Sequence, residues 1–313
     1  MKNIKPVFNL HILAFLLLGA GQAGAQRNNL FNTYVYDPLQ LNMAYAGVQC
    51  SEANMHYRNQ WTGVKDAPVL LQLDAHTPLG KTTGVGLRVS SQQAGLLNSF
   101  QATAGYAYHV KLSRTNTIHF GLGVGLIQNT LNSKRAVVID ADDATLGSGG
   151  RQKASNFDSE LGIMFVGDKL KAGASIMHLY TTRAGVAGGV FKTLPQFNIN
   201  LSYVFNKNEN VEVEPWLVNM YTINGNNITE GLLNFNFMQT ITAGLGYRSS
   251  HGMLFFLGVK TGNFKAGYSF DIGTSSNKTL TGSSHQLLLG FSNCNARLKK
   301  HKSKRGRKIR TRF

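Results

Sequence analysis

Few residues in this chain are spaced for chemistry. Asp140, Asp142 and Asp143 bring three carboxylates into one short stretch, the hard-oxygen set that a Ca2+ ion takes. They lack the spacing and the distal Glu of an EF-hand loop, so a solvated acidic loop is expected. The run Gly121-Leu122-Gly123-Val124-Gly125 resembles a dinucleotide fingerprint in composition only, because the third glycine is misplaced and no helix follows. Nine histidines and many serines are present, yet there is no Gly-x-Ser-x-Gly elbow and no histidine cluster, so no nucleophile has a base in reach. No catalytic residue, cofactor or metal is therefore expected, and the chain does not read as an enzyme.

The elements that would carry these residues explain the scarcity. Residues 1–25 read as a secretory signal: Lys2 and Lys5 are the charged region, 8–20 is mostly apolar, and Ala23-Gly24-Ala25 offers a cleavage site. The apolar stretch is short of the roughly 20 residues a retained membrane anchor needs. No later apolar run is long enough for a spanning helix, and a chain that crosses a bilayer without helices must form a closed barrel.

Charge supports a wall facing lipid. Only 15% of residues are charged, against about 25% in an ordinary soluble domain. Of the net +17, ten positive charges fall in 297–313: Arg297, Lys299, Lys300, Lys302, Lys304, Arg305, Arg307, Lys308, Arg310 and Arg312. Without the signal lysines and this tail the body carries +5, too little to imply a nucleic-acid partner. The expected domains are a signal peptide (1–25), an outer-membrane β-barrel (26–292) and a basic periplasmic tail (293–313).

Alternation with a period of two recurs along the body. Ala102, Ala104, Tyr106, Tyr108 and Val110 share one strand face, against Gln101, Thr103, Gly105, Ala107 and His109. Phe197, Ile199, Leu201, Tyr203 and Phe205 oppose Gln196, Asn198, Asn200 and Ser202. A soluble β-sandwich also alternates. The signal peptide, aromatics at the ends of the apolar faces and strand lengths near those of a tilted crossing favour an all-β transmembrane antiparallel barrel of about fourteen strands. These are expected at 48–59, 67–78, 83–92, 98–110, 116–128, 156–166, 170–180, 194–206, 209–222, 228–237, 239–248, 252–261, 263–272 and 283–291. Periplasmic turns are short and outer loops long, which puts 129–155, 181–193 and 271–282 outside and the basic tail in the periplasm. The frequent glycines and the histidines His109 and His119 are expected on the lumen side or at strand ends.

At this level of detail the chain resembles a known family. Asn42-Met43-Ala44-Tyr45-Ala46-Gly47, then Tyr57-Arg58-Asn59-Gln60-Trp61 and Ala67-Pro68, are similar to the opening of the PorP/SprF outer-membrane proteins of Bacteroidetes. Gly84-Val85-Gly86-Leu87, Gly244-Leu245-Gly246-Tyr247-Arg248, Gly267-Tyr268-Ser269-Phe270-Asp271 and Gly282-Ser283-Ser284-His285-Gln286 follow in the same order. Leu41 and Met43 stand where the family commonly has a proline near the asparagine, and the basic tail departs from the pattern. The resemblance implies an outer-membrane component of the type IX secretion system. Its implied partners are secretion subunits and a large exported surface protein such as a gliding adhesin, with outer-membrane lipid around the barrel. A transport channel for small or hydrophobic solutes is the alternative, and an outer-membrane hydrolase the third class.

Three sets of residues are candidates for binding or linkage. Arg58, Gln60 and Trp61 cluster at the top of the first strand, where they are expected either to contact the exported partner or, for the tryptophan, to join the interfacial aromatic belt. The tail residues from Lys299 to Arg312 suit an acidic periplasmic partner or remain solvated. Cys50 and Cys294 fall near the two ends of a closed seam. A disulfide there is chemically open to an exported protein, although two free thiols are the favoured reading, because sequence cannot show a Cα separation within about 4.4–6.8 Å.

Overall fold

The computed structural model describes residues 31–132, 150–180, 182–186, 189–223, 225, 227–249, 252–273 and 282–294, with the side chains of 182–186 and 189–192 excepted. The signal segment, the acidic loop at Asp140 and the basic tail lie outside the described residues.

Strands β1 (Ser51–Asn59), β2 (Val69–Pro78), β3 (Thr83–Ala94), β4 (Leu97–Lys111) and β5 (Thr117–Asn132) open an antiparallel up-and-down series. It continues through β6 (Arg151–Val166) and β7 (Leu170–Met177). After a separate hairpin of β8 (Thr182–Val186) and β9 (Gly189–Thr193), the series resumes with β10 (Gln196–Tyr203), β11 (Val211–Thr222) and β12 (Asn227–Phe237). The last four are β13 (Ile241–Arg248), β14 (Gly252–Thr261), β15 (Phe264–Gly273) and β16 (Ser284–Asn293). Fourteen of these strands close into one barrel, because β16 pairs with β1 from Ser51 against Asn293 to Asn59 against His285. Every wall backbone thus finds its hydrogen bonds within the sheet, which a bilayer demands.

All fourteen expected strands are present in the expected order. The hairpin β8–β9 falls in the expected loop 181–193; a loop of that length satisfies its own backbone groups by pairing with itself. At one end of the barrel every link spans at most the seven residues of 204–210, and the longest links all lie at the other end. We call these the short-turn and long-loop ends. The alternation sorts as anticipated: Leu122, Val124, Leu126, Ile199, Leu201 and Leu245 face outward and are exposed, while Thr103, Ala107, His109, Asn198, Asn200 and Ser202 are buried inward.

One part of the expected organisation changes. The wall begins at Ser51, and residues 31–50 lie inside it as a plug. Three single 3-10 turns, Asn32–Val35, Pro38–Gln40 and Met43–Tyr45, fold this segment along the lumen, with Phe31, Tyr34, Leu39, Leu41 and Met43 no more than 2% exposed. Each such side chain contributes roughly 1.5–3 kcal/mol by leaving water. On one side, Tyr34 and Leu41 pack into an apolar sector formed by Trp216, Val218 and Met220 of β11, Ile228 and Leu232 of β12 and Leu254 of β14. On the opposite side the plug rests on glycines. A Cβ on Gly121 would lie 2.6 Å from both Ala44 Cα and the Met43 carbonyl carbon, and Gly47, at φ +72°, approaches Gly84 backbone to backbone. Gly84, Gly86, Gly105, Gly121 and Gly162 therefore make room for a peptide segment, while Gly123, Gly173, Gly244 and Gly290 make room for wall side chains, as a crowded lumen requires.

Cys50 precedes β1, Cys294 follows β16, and the pairing of Ser51 with Asn293 sets them side by side. They form a disulfide with Cα atoms 4.3 Å apart, in place of the two free thiols favoured from sequence. Closure of the barrel supplies the proximity that a separation of 244 residues conceals.

Two outcomes are expected. Denatured, unreduced protein should take up no alkylating label, and two labels per chain only after reduction, as read by intact mass. Substituting Gly121→Val should leave the barrel folded, as judged by a heat-modifiable band on electrophoresis, but dislodge the plug and raise single-channel conductance. Gly231→Ala, where an added Cβ meets nothing within 4 Å, should behave as wild type.

Candidate functional site in the barrel lumen

The plug is held by polar contacts that converge on a few of its residues. Asn32 is fully buried; its backbone N–H donates to Gln286 Oε1 at 2.9 Å and its side-chain amide donates to Ser269 Oγ at 2.9 Å and to the Asp271 carboxylate. Its side-chain oxygen accepts from the Arg248 guanidinium and, at 3.4 Å, from Arg58. Arg58 in turn pairs with Asp271 at 2.7 Å, and Arg248 pairs with Glu230. Tyr34 donates its hydroxyl to Glu230 at 2.8 Å, and Tyr36 donates to Thr242 at 2.9 Å. Charges this deep are tolerated because each has a partner of opposite sign and further hydrogen bonds.

The plug backbone is satisfied in the same way. Lys265 donates to the Tyr36 carbonyl at 2.7 Å, Arg88 to that of Leu39 at 3.1 Å, and Ser175 to that of Leu41 at 2.6 Å. Arg88 is also paired with Glu160. Asn42 caps the third turn by accepting from Ala44 N–H at 2.9 Å, while its amide donates to the carbonyls of Ile163 and Ala174 on adjacent strands. On the plug, outside the strands, Asp37 is buried, which alone would raise its carboxyl. The hydrogen bond and charge of His56, with the charge of Lys265, outweigh burial and hold it below the ordinary carboxylate range.

Arg58, Gln60 and Trp61 do not form one outward-facing cluster. Arg58 is 5% exposed and turned into the lumen, because an even-numbered position on β1 points inward with Asn54 and His56. Gln60 and Trp61 lie beyond β1 in the half-buried start of loop 60–68 at the long-loop end, with Gln60 N–H donating to the Pro68 carbonyl and Trp61 N–H to Ser284 Oγ. His109 and His119 meet across β4 and β5 at 2.7 Å, buried near the short-turn end. The motifs quoted from the sequence gain a common role. Arg58, Arg248, Ser269, Asp271 and Gln286 come from four separate motifs and surround Asn32, while 42–47 is the turn seated on the glycines.

The sequence reading assigned nothing to Asn32, Tyr34, Asp37 or Gln40. A usable signal was present in β11 and β14, where Trp216, Val218, Met220, Leu254 and Phe256 make the inward face as apolar as the outward one. A water-filled lumen would not select that pattern.

The Arg248→Met substitution should cost about 3–5 kcal/mol of stability against denaturant in detergent, because it strands the fully buried Glu230. Adding Glu230→Gln should restore much of that loss by removing the uncompensated charge.

No curated protein matches the chain. Solved structures that align with it are outer-membrane barrels. The toluene transporter TodX of Pseudomonas putida is 13% identical over 83% of this chain and 92% of its own, with a TM-score of 0.47. A Pseudomonas aeruginosa FadL homologue is 10% identical over 80% and 90%, at 0.45, and the KdgM porin 11% over 77% and 99%, at 0.39. These superpositions are loose, and the fold stands on the closed strand register itself. The family of type IX secretion system membrane proteins PorP/SprF matches residues 23–291, and the chain belongs to that family of the outer membrane.

Proposed function

We propose that this type IX secretion component works through its rims, supporting the secretion or surface anchoring of a large exported protein such as an adhesin. The observation that carries this reading is the filled lumen: residues 31–50 occupy the space a solute would need, and their hydrogen bonds and ion pairs to the wall make the barrel a rigid, closed body. A channel for small or hydrophobic solutes would require that segment to leave, breaking the contacts of Asn32, Tyr34 and Asn42 together.

In this reading the long-loop end faces outward and Gln60 and Trp61 offer contact to the exported partner. The short-turn end faces the periplasm, where the ten basic residues of 297–313 suit an acidic surface of another secretion subunit.

Affinity isolation of the chain from outer membranes, followed by identification of co-purifying proteins, tests the proposal. Recovery of a large exported protein and of secretion subunits is expected, together with near-zero single-channel conductance of the purified barrel. Isolation of the barrel alone, with a stable open conductance, would favour the channel. Truncation after Asn295 should weaken retention of secretion subunits in a salt-dependent manner while leaving the barrel folded.

A further inference from the structure

Next to the Asn32 network, and joined to it through Thr33 and Gln286, two carboxylates and an imidazole meet with no exposed side-chain surface. His56 Nε2 on β1 lies 2.9 Å from Asp37 Oδ2 on the plug and 3.2 Å from Asp74 Oδ2 on β2, all three side chains being 0% exposed. One ligand atom from each falls within 4.8 Å of the others. A single imidazole N–H at Nε2 cannot point at both carboxylates, and Nδ1 is already engaged with Thr33 Oγ1 at 2.9 Å. Lys265 is already held by Glu52 at 2.6 Å and by the Tyr36 carbonyl.

One further observation points to a ligand. Asp37 Oδ1 is buried with no hydrogen-bond partner among the described residues, although its other oxygen is engaged. Separations of 2.9 and 3.2 Å between His56 Nε2 and the two carboxylate oxygens are edge lengths of a coordination shell with metal–ligand distances of about 2.0–2.1 Å. Gln40 Nε2 lies 3.2 Å from both ring nitrogens of His56, off the Nε2 lone-pair axis, and so packs on the imidazole without entering that shell. Gln72 and Asn54 donate to the two Asp74 oxygens at 3.3 and 2.9 Å, the kind of outer support that orients a ligating carboxylate. Gln40 and Gln72 also line a polar cavity of about 80 Å3 beside the trio.

We infer that Asp37, His56 and Asp74 bind one divalent first-row transition cation that ties the plug to β1 and β2. The mixed imidazole and carboxylate set suits Zn2+ and disfavours Ca2+ and Mg2+, which take oxygen alone.

The test uses the full-length, tag-free protein in detergent, folded in the presence of Zn2+ with excess Mg2+ and Ca2+ and then desalted. Elemental mass spectrometry should find close to one zinc per chain, and Asp74→Asn or His56→Gln should lower its affinity by at least about tenfold while the heat-modifiable folded band persists. Folded wild-type protein that retains no zinc, or variants that retain it as tightly as wild type, would overturn the inference and leave the trio a hydrogen-bonded ion pair. If the variants do not fold, X-ray absorption at the zinc edge of the wild-type protein decides. A shell of nitrogen and oxygen near about 2.0 Å supports the site, and sulfur in the shell or no bound zinc refutes it.

Discussion

A barrel of fourteen strands encloses a lumen wider than its own inward side chains can fill. The structure answers this constraint with the twenty residues ahead of the first strand, and most other features of the wall follow from the answer. A peptide inside a protein brings its own backbone N–H and C=O groups, which must be satisfied without water. Some of that work is done within the plug by three tight turns. The rest falls to the wall, through Lys265, Arg88 and Ser175 for carbonyls and Gln286 for the N–H of Asn32.

The wall is accordingly specialised around its circumference. Strands β3 to β6 present glycine to the plug, against its backbone at Gly84 and Gly121 and against the side chains of Met43 and Asn42 at Gly105 and Gly162. Strands β11, β12 and β14 present apolar side chains to Tyr34 and Leu41. Strands β13, β15, β16 and β1 present Arg248, Asp271, Gln286 and Arg58 to Asn32. Glycine costs strand stability, and buried charges cost solvation, and contacts with the plug offset part of both costs. The plug and the wall thus form a single packing unit. The disulfide between Cys50 and Cys294 stands where the plug passes into β1 and where β16 ends, so it fastens the plug's exit at the seam that closes the barrel.

Much of the fold was legible. Lipid outside and a different environment inside impose a period of two, and residues such as Phe197 to Phe205 display it without ambiguity. Strand number, order and the two unequal ends followed from that signal. The site was less legible, because the lumen network joins residues from Asn32 to Gln286 that no local pattern connects. Arg58 shows the difficulty: its proximity in sequence to Gln60 and Trp61 suggested one cluster, while the alternation of β1 sends it inward and the chain turn after Asn59 keeps the other two at the rim.

By itself the sequence determined what each strand face must meet, since alternation is a local consequence of backbone geometry and solvent. It also carried the compartment and, through scattered motifs, the family. Only the tertiary structure decided that the lumen is filled, that the motifs surround one asparagine, and that Cys50 meets Cys294. Those outcomes depend on closure, which brings the first and last strands together, and closure is a property of the whole ring of strands.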